Sequence, residues 1–251
     1  MDNLKLEALL NQKLNPQLIK DYCPNGLQVE GRTEIKKIVT GVTASQALIE
    51  QAIERNADAL LVHHGYFWKS EPESIRGMKG HRIRALIRSD MNLYAYHLPL
   101  DIHPELGNNK LLADLLGIHV DGGLEGHPQS VAMFGHFEQA LTADELSQRI
   151  DQALQRRPLH VAPSSNRIIK TVGWCTGGGQ DYVDLAAQHG LDAFISGEIS
   201  ERTTYSAREQ NIHYFSAGHH ATERYGVKAL GEWLASEYGF EVEFIDIDNP
   251  V

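Results

Sequence analysis

Cysteine is almost missing from this chain: Cys23 and Cys175 are the only two, and neither belongs to a CxxC pair. That argues against a disulfide framework and makes a reducing cytoplasm the expected compartment. No apolar run approaches membrane-spanning length, so no membrane association is expected. The opening MDNLKLEALLNQKL alternates charges with leucines at helical spacing and resembles neither a signal peptide nor a transit peptide. Positive charge is also scarce. Lysine and arginine total 23 against 33 acidic residues, for a formal net charge of −10. A nucleic-acid partner is therefore disfavoured, since such proteins carry a basic stripe. A small anionic substrate would need metal ions and a few local cations to offset the field. Low-complexity sequence is lacking too. The hydrophobic and charged fractions, 42% and 22%, are those of a folded globular protein of one or two domains.

Short apolar runs alternate with helical patterns, which predicts an α/β fold. KKIVTGV reads as a strand, Ala44, Leu48, Ile49, Ala52 and Ile53 as one helical face, and ALLVHH as the next strand. Together they form a βαβ unit. The segment IIKTVGWCTGGGQDYVDLAAQHGLDAFISGE overlays this unit without a gap. Ile38 then falls on Val172, Asp58 on Asp192, Ala59 on Ala193, and His63-His64 on Gly197-Glu198. Any two βαβ units would align comparably, so the overlay leaves internal duplication open. IHVDGGLEGHPQ, rich in glycine, is the best candidate linker, giving two related α/β lobes at 1–125 and 126–251. Thr142 to Glu145 has the capping-box pattern of a helix start. Gly117, Gly190 and Gly239 each follow a helical stretch, where a left-handed residue is expected.

Chemistry concentrates at the ends of predicted strands. His63 and His64 close the run LLVHH, Asp101 closes HLPLD, and His219 and Glu223 share the run HHATE. Imidazole nitrogen and carboxylate oxygen form the donor set that first-row divalent metals favour. Adjacent strand residues point to opposite faces, so each of the paired histidines would serve a different ion. His219 and Glu223, four apart on a helix, lie on one face. Five such ligands would serve a dinuclear metal site in the cleft between the lobes, left open to water. Each cluster alone has a plainer reading, as a strand-end polar pair, a helix-face pair or a turn residue. It is their shared position at strand ends that favours metal. His81, His119, His127, His136, His160, His189 and His213 are read as structural.

These residues sit in motifs with a wider resemblance. NGLQVEG at 25–31, LVHHGYFWK at 61–69, YHLPLD at 96–101, ELGNN at 105–109, DAFISGEISE at 192–201 and AGHHATER at 217–224 resemble the GTP cyclohydrolase 1 type 2 homologues, the Nif-three-like dinuclear-metal proteins. The resemblance covers essentially the whole chain. It implies metal ligands at His63, His64, Asp101, His219 and Glu223, and histidine with carboxylate donors suits two divalent ions of iron, zinc, manganese or nickel. It also implies a homohexamer of toroidal shape, and no regulatory domain inserted between the lobes. His97 matches a histidine beside the metals. It reads either as a proton shuttle or ligand-orienting group, or as a strand-end residue held by a backbone carbonyl. Glu198 reads either as a group that orients water or substrate, or as a first-turn carboxylate of the helix that follows. Lys69, Arg76 and Lys79 could meet phosphate or be solvated loop charges. Tyr66, Phe67 and Trp68 could stack a base or fill a core, and Thr176-Gly177-Gly178-Gly179 lacks the lysine and spacing of a P-loop.

Two functions remain open at this level. One is a metal-dependent hydrolase acting on a nucleotide or similar small anion, with GTP ring opening suggested by the resemblance. The other is a non-catalytic, chaperone-like or regulatory metal-binding scaffold.

Overall fold

A computed structural model describes residues 1–165 and 167–251. It is a mixed α/β protein of two compact units, Met1–Leu106 with Arg224–Asp248, and Gly107–Glu223 with Asn249–Val251. The first unit contains α1 (Asn3–Leu14), β1 (Gly26–Val29), β2 (Lys37–Thr43), α2 (Gln46–Glu54), β3 (Ala59–His64), α3 (Gly77–Arg88), β4 (Asn92–Ala95) and α4 (Leu98–Asp101). The second contains α5 (Asn108–Leu116), β5 (Ile118–Gly123), β6 (Met133–Leu141), α6 (Ala143–Leu154), β7 (Leu159–Val161), β8 (Ile169–Cys175), α7 (Val183–Gln188), β9 (Ala193–Ser196), α8 (Glu201–Glu209) and β10 (His213–Ser216). The chain re-enters the first unit within α9 (His219–Tyr238) and adds β11 (Glu241–Phe244). No helix among the described residues is long and apolar enough to cross a membrane.

The first sheet has the order β1-β4-β3-β2-β11, parallel except for β1, and the second β5-β6-β8-β9-β10-β7, with β8, β9 and β10 parallel. Apolar side chains line both faces of β3. Leu60 and Val62 pack with Leu48, Ile49 and Ile83, whereas Ala59 and Leu61 pack with Leu10, Tyr94 and Leu230. Burial on both faces explains the unbroken apolar run that precedes the histidines.

Two boundaries differ from the sequence reading. IHVDGG is not a linker but β5, paired antiparallel with β6. Its glycines hid the strand, because they mark a register shift after Val120 and a close approach. A Cβ on Gly123 would meet Ser130 Cβ at 2.4 Å. Accordingly α5 and β5 pack in the second unit, whereas a cut at 125/126 assigns them to the first lobe. The first unit is discontinuous because β11 pairs with β2. Ile53, assigned to the buried helix face, is 37% exposed, while Leu48, Ile49 and Ala52 are buried. The capping box at Thr142 forms as expected, and Gly117, Gly190 and Gly239 adopt φ of 67°, 72° and 71°.

The internal repeat is visible in the pairing. Ile38 is opposite Ala59 in the first sheet and Val172 opposite Ala193 in the second, the same register at overlaid positions. Asp58 accepts from the N–H groups of Lys36 and Lys37, both at 2.9 Å, and pairs with Arg32 at 2.9 Å. Asp192 does the same with Lys170 at 2.9 Å, Thr171 at 2.8 Å and Arg167 at 2.6 Å. Burial opposes ionisation of both carboxyls, but these donors hold each below the usual carboxylate range. Each bracket ties the start of one parallel strand to the start of the next. Asp58→Ala and Asp192→Ala are each expected to cost about 1–3 kcal/mol in urea unfolding, because the backbone donors lose their acceptor. An asparagine at either place should recover part of that loss.

One histidine pair gives the fold an acid limit. His160 Nε2 lies 3.0 Å from His213 Nδ1, and His213 Nε2 donates to the Arg167 carbonyl at 2.8 Å. Burial favours the neutral pair, and in a neutral His213 the nitrogen left to accept is Nδ1. Burial lowers both pKa values below 6.5, and for His160 the adjacent His213 adds to the effect. The unfolded chain gains protons below pH 6.5 that the folded pair refuses, so stability is lost as pH falls through that value. Thermal melts from pH 7.5 to 5 should show this decline, and His160→Gln should flatten it.

Candidate metal centre

In the first unit β3 ends in His63 and His64, and Gly65 after them allows a close approach, since a Cβ there would meet Gln28 Oε1 at 2.2 Å. His63 is fully buried, and its Nδ1 donates to the Tyr96 carbonyl at 2.9 Å. A carbonyl can only accept, so Nε2 is the nitrogen that could ligate a metal, and it lies 3.5 Å from Asp101 Oδ1. Asp101 is buried at the end of α4, whose first turn Pro99 favours. The imidazoles of His63 and His64 do not diverge as the strand alternation predicts. Their centroids are 4.5 Å apart, and His97 approaches them at 5.1 and 5.8 Å. Ring nitrogens of all three histidines lie within 4.8 Å of one another.

His97 is not held by a backbone carbonyl. Its Nδ1 lies 2.7 Å from Asp21 Oδ1, and its N–H donates to Asn25 at 2.7 Å. Trp68 stands edge-on to it at 4.8 Å and donates to the Gly65 carbonyl. Tyr66 is core, its hydroxyl donating to Ala44 O at 2.7 Å, and Phe67 packs against the same core. Lys69 donates to the Asp21 carbonyl, Lys79 to Pro72, and Arg76 is exposed ahead of α3. Two of the three candidate phosphate contacts are thus committed to loop structure.

The second unit carries a cluster of its own. His219 opens α9 and sits between two carboxylates, with Nδ1 2.7 Å from Glu198 Oε1 and Nε2 3.2 Å from Glu223 Oε2. Burial alone would lower its pKa, but Glu223 and then Glu198 raise it to about 9. A proton therefore holds the position on Nε2 that a cation would take, and the two compete. Glu223 is 3% exposed. Glu198 is not a first-turn carboxylate. Ser200 caps α8, closing a capping box with Thr203, and Glu198 precedes it.

The glycine run after β8 serves this cluster rather than a phosphate. Gly177 has φ +64°, and a Cβ there would lie 2.0 Å from Glu223 Oε1 and 2.9 Å from His219 Nε2. Its carbonyl accepts from Gly197 and Glu198, and its N–H donates to Thr222. The sequence reading missed Asp21, Asn25 and Gly177 as parts of these clusters. Asn25 did lie inside a quoted motif, and Gly177 inside the glycine run.

Both clusters suit a divalent ion. Each sets a buried carboxylate against an imidazole nitrogen, and in each the other ring nitrogen is committed to an oxygen. That is how proteins orient histidine ligands.

The sequence profile of Duf34/NIF3 (NGG1p interacting factor 3) matches residues 1–250. A relative from Vibrio cholerae serotype O1, named GTP cyclohydrolase 1 type 2 homolog, is 78% identical over 252 residues and covers 100% of both chains. Among solved structures, the protein ybgI, described as of unknown function, superposes with a TM-score of 0.96 at 53% identity, covering 100% of both chains. A protein from Thermus thermophilus superposes at 0.88 with 32% identity, again over 100% of both.

Proposed function

The chain belongs to the Duf34/NIF3 family, and from that premise we propose that it is a divalent-metal-dependent hydrolase with a dinuclear centre, acting on a nucleotide or similar small anion. His63, His64, Asp101, His219 and Glu223 are the ligands in this reading. One observation carries it: an imidazole set against a buried carboxylate occurs in both units, His63 with Asp101 and His219 with Glu223. Burying such pairs is costly, and a cation between the partners offsets that cost.

Divalent ions bound there supply Lewis acidity and a hydroxide nucleophile at neutral pH. The protein's part is to place proton-handling groups beside them. His97 stands next to His63 and His64, and Glu198 contacts His219. Trp68, edge-on to His97, gives a planar substrate an aromatic wall. The relative's name favours a GTP cyclohydrolase-type ring opening as the finer reading. Iron, zinc, manganese and nickel all match the donors. A toroidal homohexamer in the cytoplasm completes the reading, and light scattering on purified protein checks the assembly.

The deciding experiment loads the purified protein separately with manganese, iron and zinc. It then offers GTP, other nucleotides and simple phosphoesters. Metal-dependent turnover that vanishes in His97→Ala or Glu198→Ala is the expected result. Stoichiometric metal binding with no turnover above background for any substrate would sink the hydrolase and leave the metal-binding scaffold.

A further inference from the structure

Asp21 lies in the loop between α1 and β1, and its side chain is 4% exposed. Among the described residues its carboxylate hydrogen-bonds to nitrogen donors and an imidazole. Oδ1 accepts from the Tyr22 N–H at 2.6 Å, and Oδ2 accepts from Asn25 Nδ2 and the Leu98 N–H, both at 2.9 Å. His97 Nδ1 meets Oδ1 at 2.7 Å. A carboxyl proton would have to face an N–H donor or sit between Oδ1 and His97 Nδ1, and of those two groups the carboxyl is the stronger acid, so Asp21 is the ionised acceptor. Burial alone would raise its pKa, but His97, Asn25 and Tyr22 hold it below the usual carboxylate range.

An acceptor at 2.7 Å requires a proton on His97 Nδ1. The ring then turns its other nitrogen away from Asp21. The same carboxylate caps the first N–H of α4, the turn that ends in Asp101. Cys23 lies near enough to suggest a cation site with Asp21 and His97. The chemistry argues otherwise. The carboxylate's acceptor positions are taken by donors, and the Cys23 thiol is pushed up to about 12 by burial and then by the Asp21 charge.

We propose that Asp21 is a positioning residue: it fixes His97 with Nδ1 protonated, so that Nε2 is the nitrogen presented beside His63 and His64. Nε2 is then the atom that accepts a proton from substrate or water. That consequence rests on the hydrolase reading, whereas the tautomer does not. Asparagine at this place keeps the shape and removes the charge. Either orientation of its amide sets an NH2 group against an existing donor, and the Nδ1–H tautomer loses its anionic anchor.

Neutron diffraction from deuterium-exchanged, zinc-loaded crystals reads the tautomer directly. Deuterium on His97 Nδ1 in the bond to Asp21 is expected. A bare Nδ1, or deuterium on the Asp21 carboxyl, overturns the proposal whether or not the protein turns over. With a substrate found as above, Asp21→Asn should lower kcat roughly 10–100-fold with zinc or manganese content and KM little changed, and Asp21→Glu should recover part of it. An unchanged kcat in Asp21→Asn overturns the proposal. If wild type itself shows no turnover, the hydrolase reading fails and the neutron result alone decides the role of Asp21.

Discussion

A His63→Ala variant is expected to lose metal at the first cluster and to drop turnover to background while still folding. His63 is the most constrained imidazole there: fully buried, with one nitrogen donating to Tyr96 O and the other 3.5 Å from Asp101. Removing the ring abolishes that contact and, in the proposed reading, one nitrogen donor to the cation. Changing a residue that merely supports a ligand typically costs 10–100-fold in metal affinity, so losing the ligand itself should cost at least about 100-fold. Isothermal titration with zinc or manganese, alongside elemental analysis of the purified protein, measures this. His81→Ala, on α3, is the control and should bind metal as wild type does. Wild-type stoichiometry and affinity in His63→Ala would remove His63 from the ligand set.

Gly177→Ala should have the second large effect, although it adds one methyl group and touches no ligand chemically. The new Cβ would fall 2.0 Å from Glu223 Oε1, and the backbone there has φ +64°. Forcing an L-residue into that conformation costs about 1–2 kcal/mol, and overpacking adds about 1–3 kcal/mol. Relief comes by displacing Glu223 and His219, which disturbs the contact between them. The variant should therefore melt lower and lose metal from the second cluster together. Gly178→Ala is the internal comparison. The nearest atom to its Cβ is 3.8 Å away and its φ is not positive, so the change should fall within about 0.5 kcal/mol. Equal behaviour of the two variants would refute the role given to Gly177.

The same glycine run shows how a sequence signal can be real and misdirected. A cluster of glycines after a strand suggests a cradle for phosphate, yet here the backbone approaches a carboxylate and an imidazole of the protein itself. Spacing alone cannot name what a glycine makes room for. A similar ambiguity hid β5, since glycines that permit a bulge look like those of a linker.

Local rules were enough for much of the rest. Alternation of apolar runs located β2, β3, β8 and β9, the capping box located α6, and the glycines that end helices adopted left-handed conformations. The gapless overlay of the two βαβ units anticipated the equivalent registers at Ala59 and Ala193. All of these depend on residues within a few positions of one another or on repetition of a short pattern.

What the amino-acid order determined unaided was therefore the α/β class, two βαβ units and the strand ends at which imidazoles and carboxylates gather. Those features follow from periodicity and capping, which act over a few residues. Tertiary structure alone decided which partner each side chain meets. Asp21 and His97 are 76 residues apart, β11 joins β2 from the far end of the chain, and Gly177 makes room for Glu223. Such pairings depend on how sheets and loops close in space, and no local periodicity encodes that.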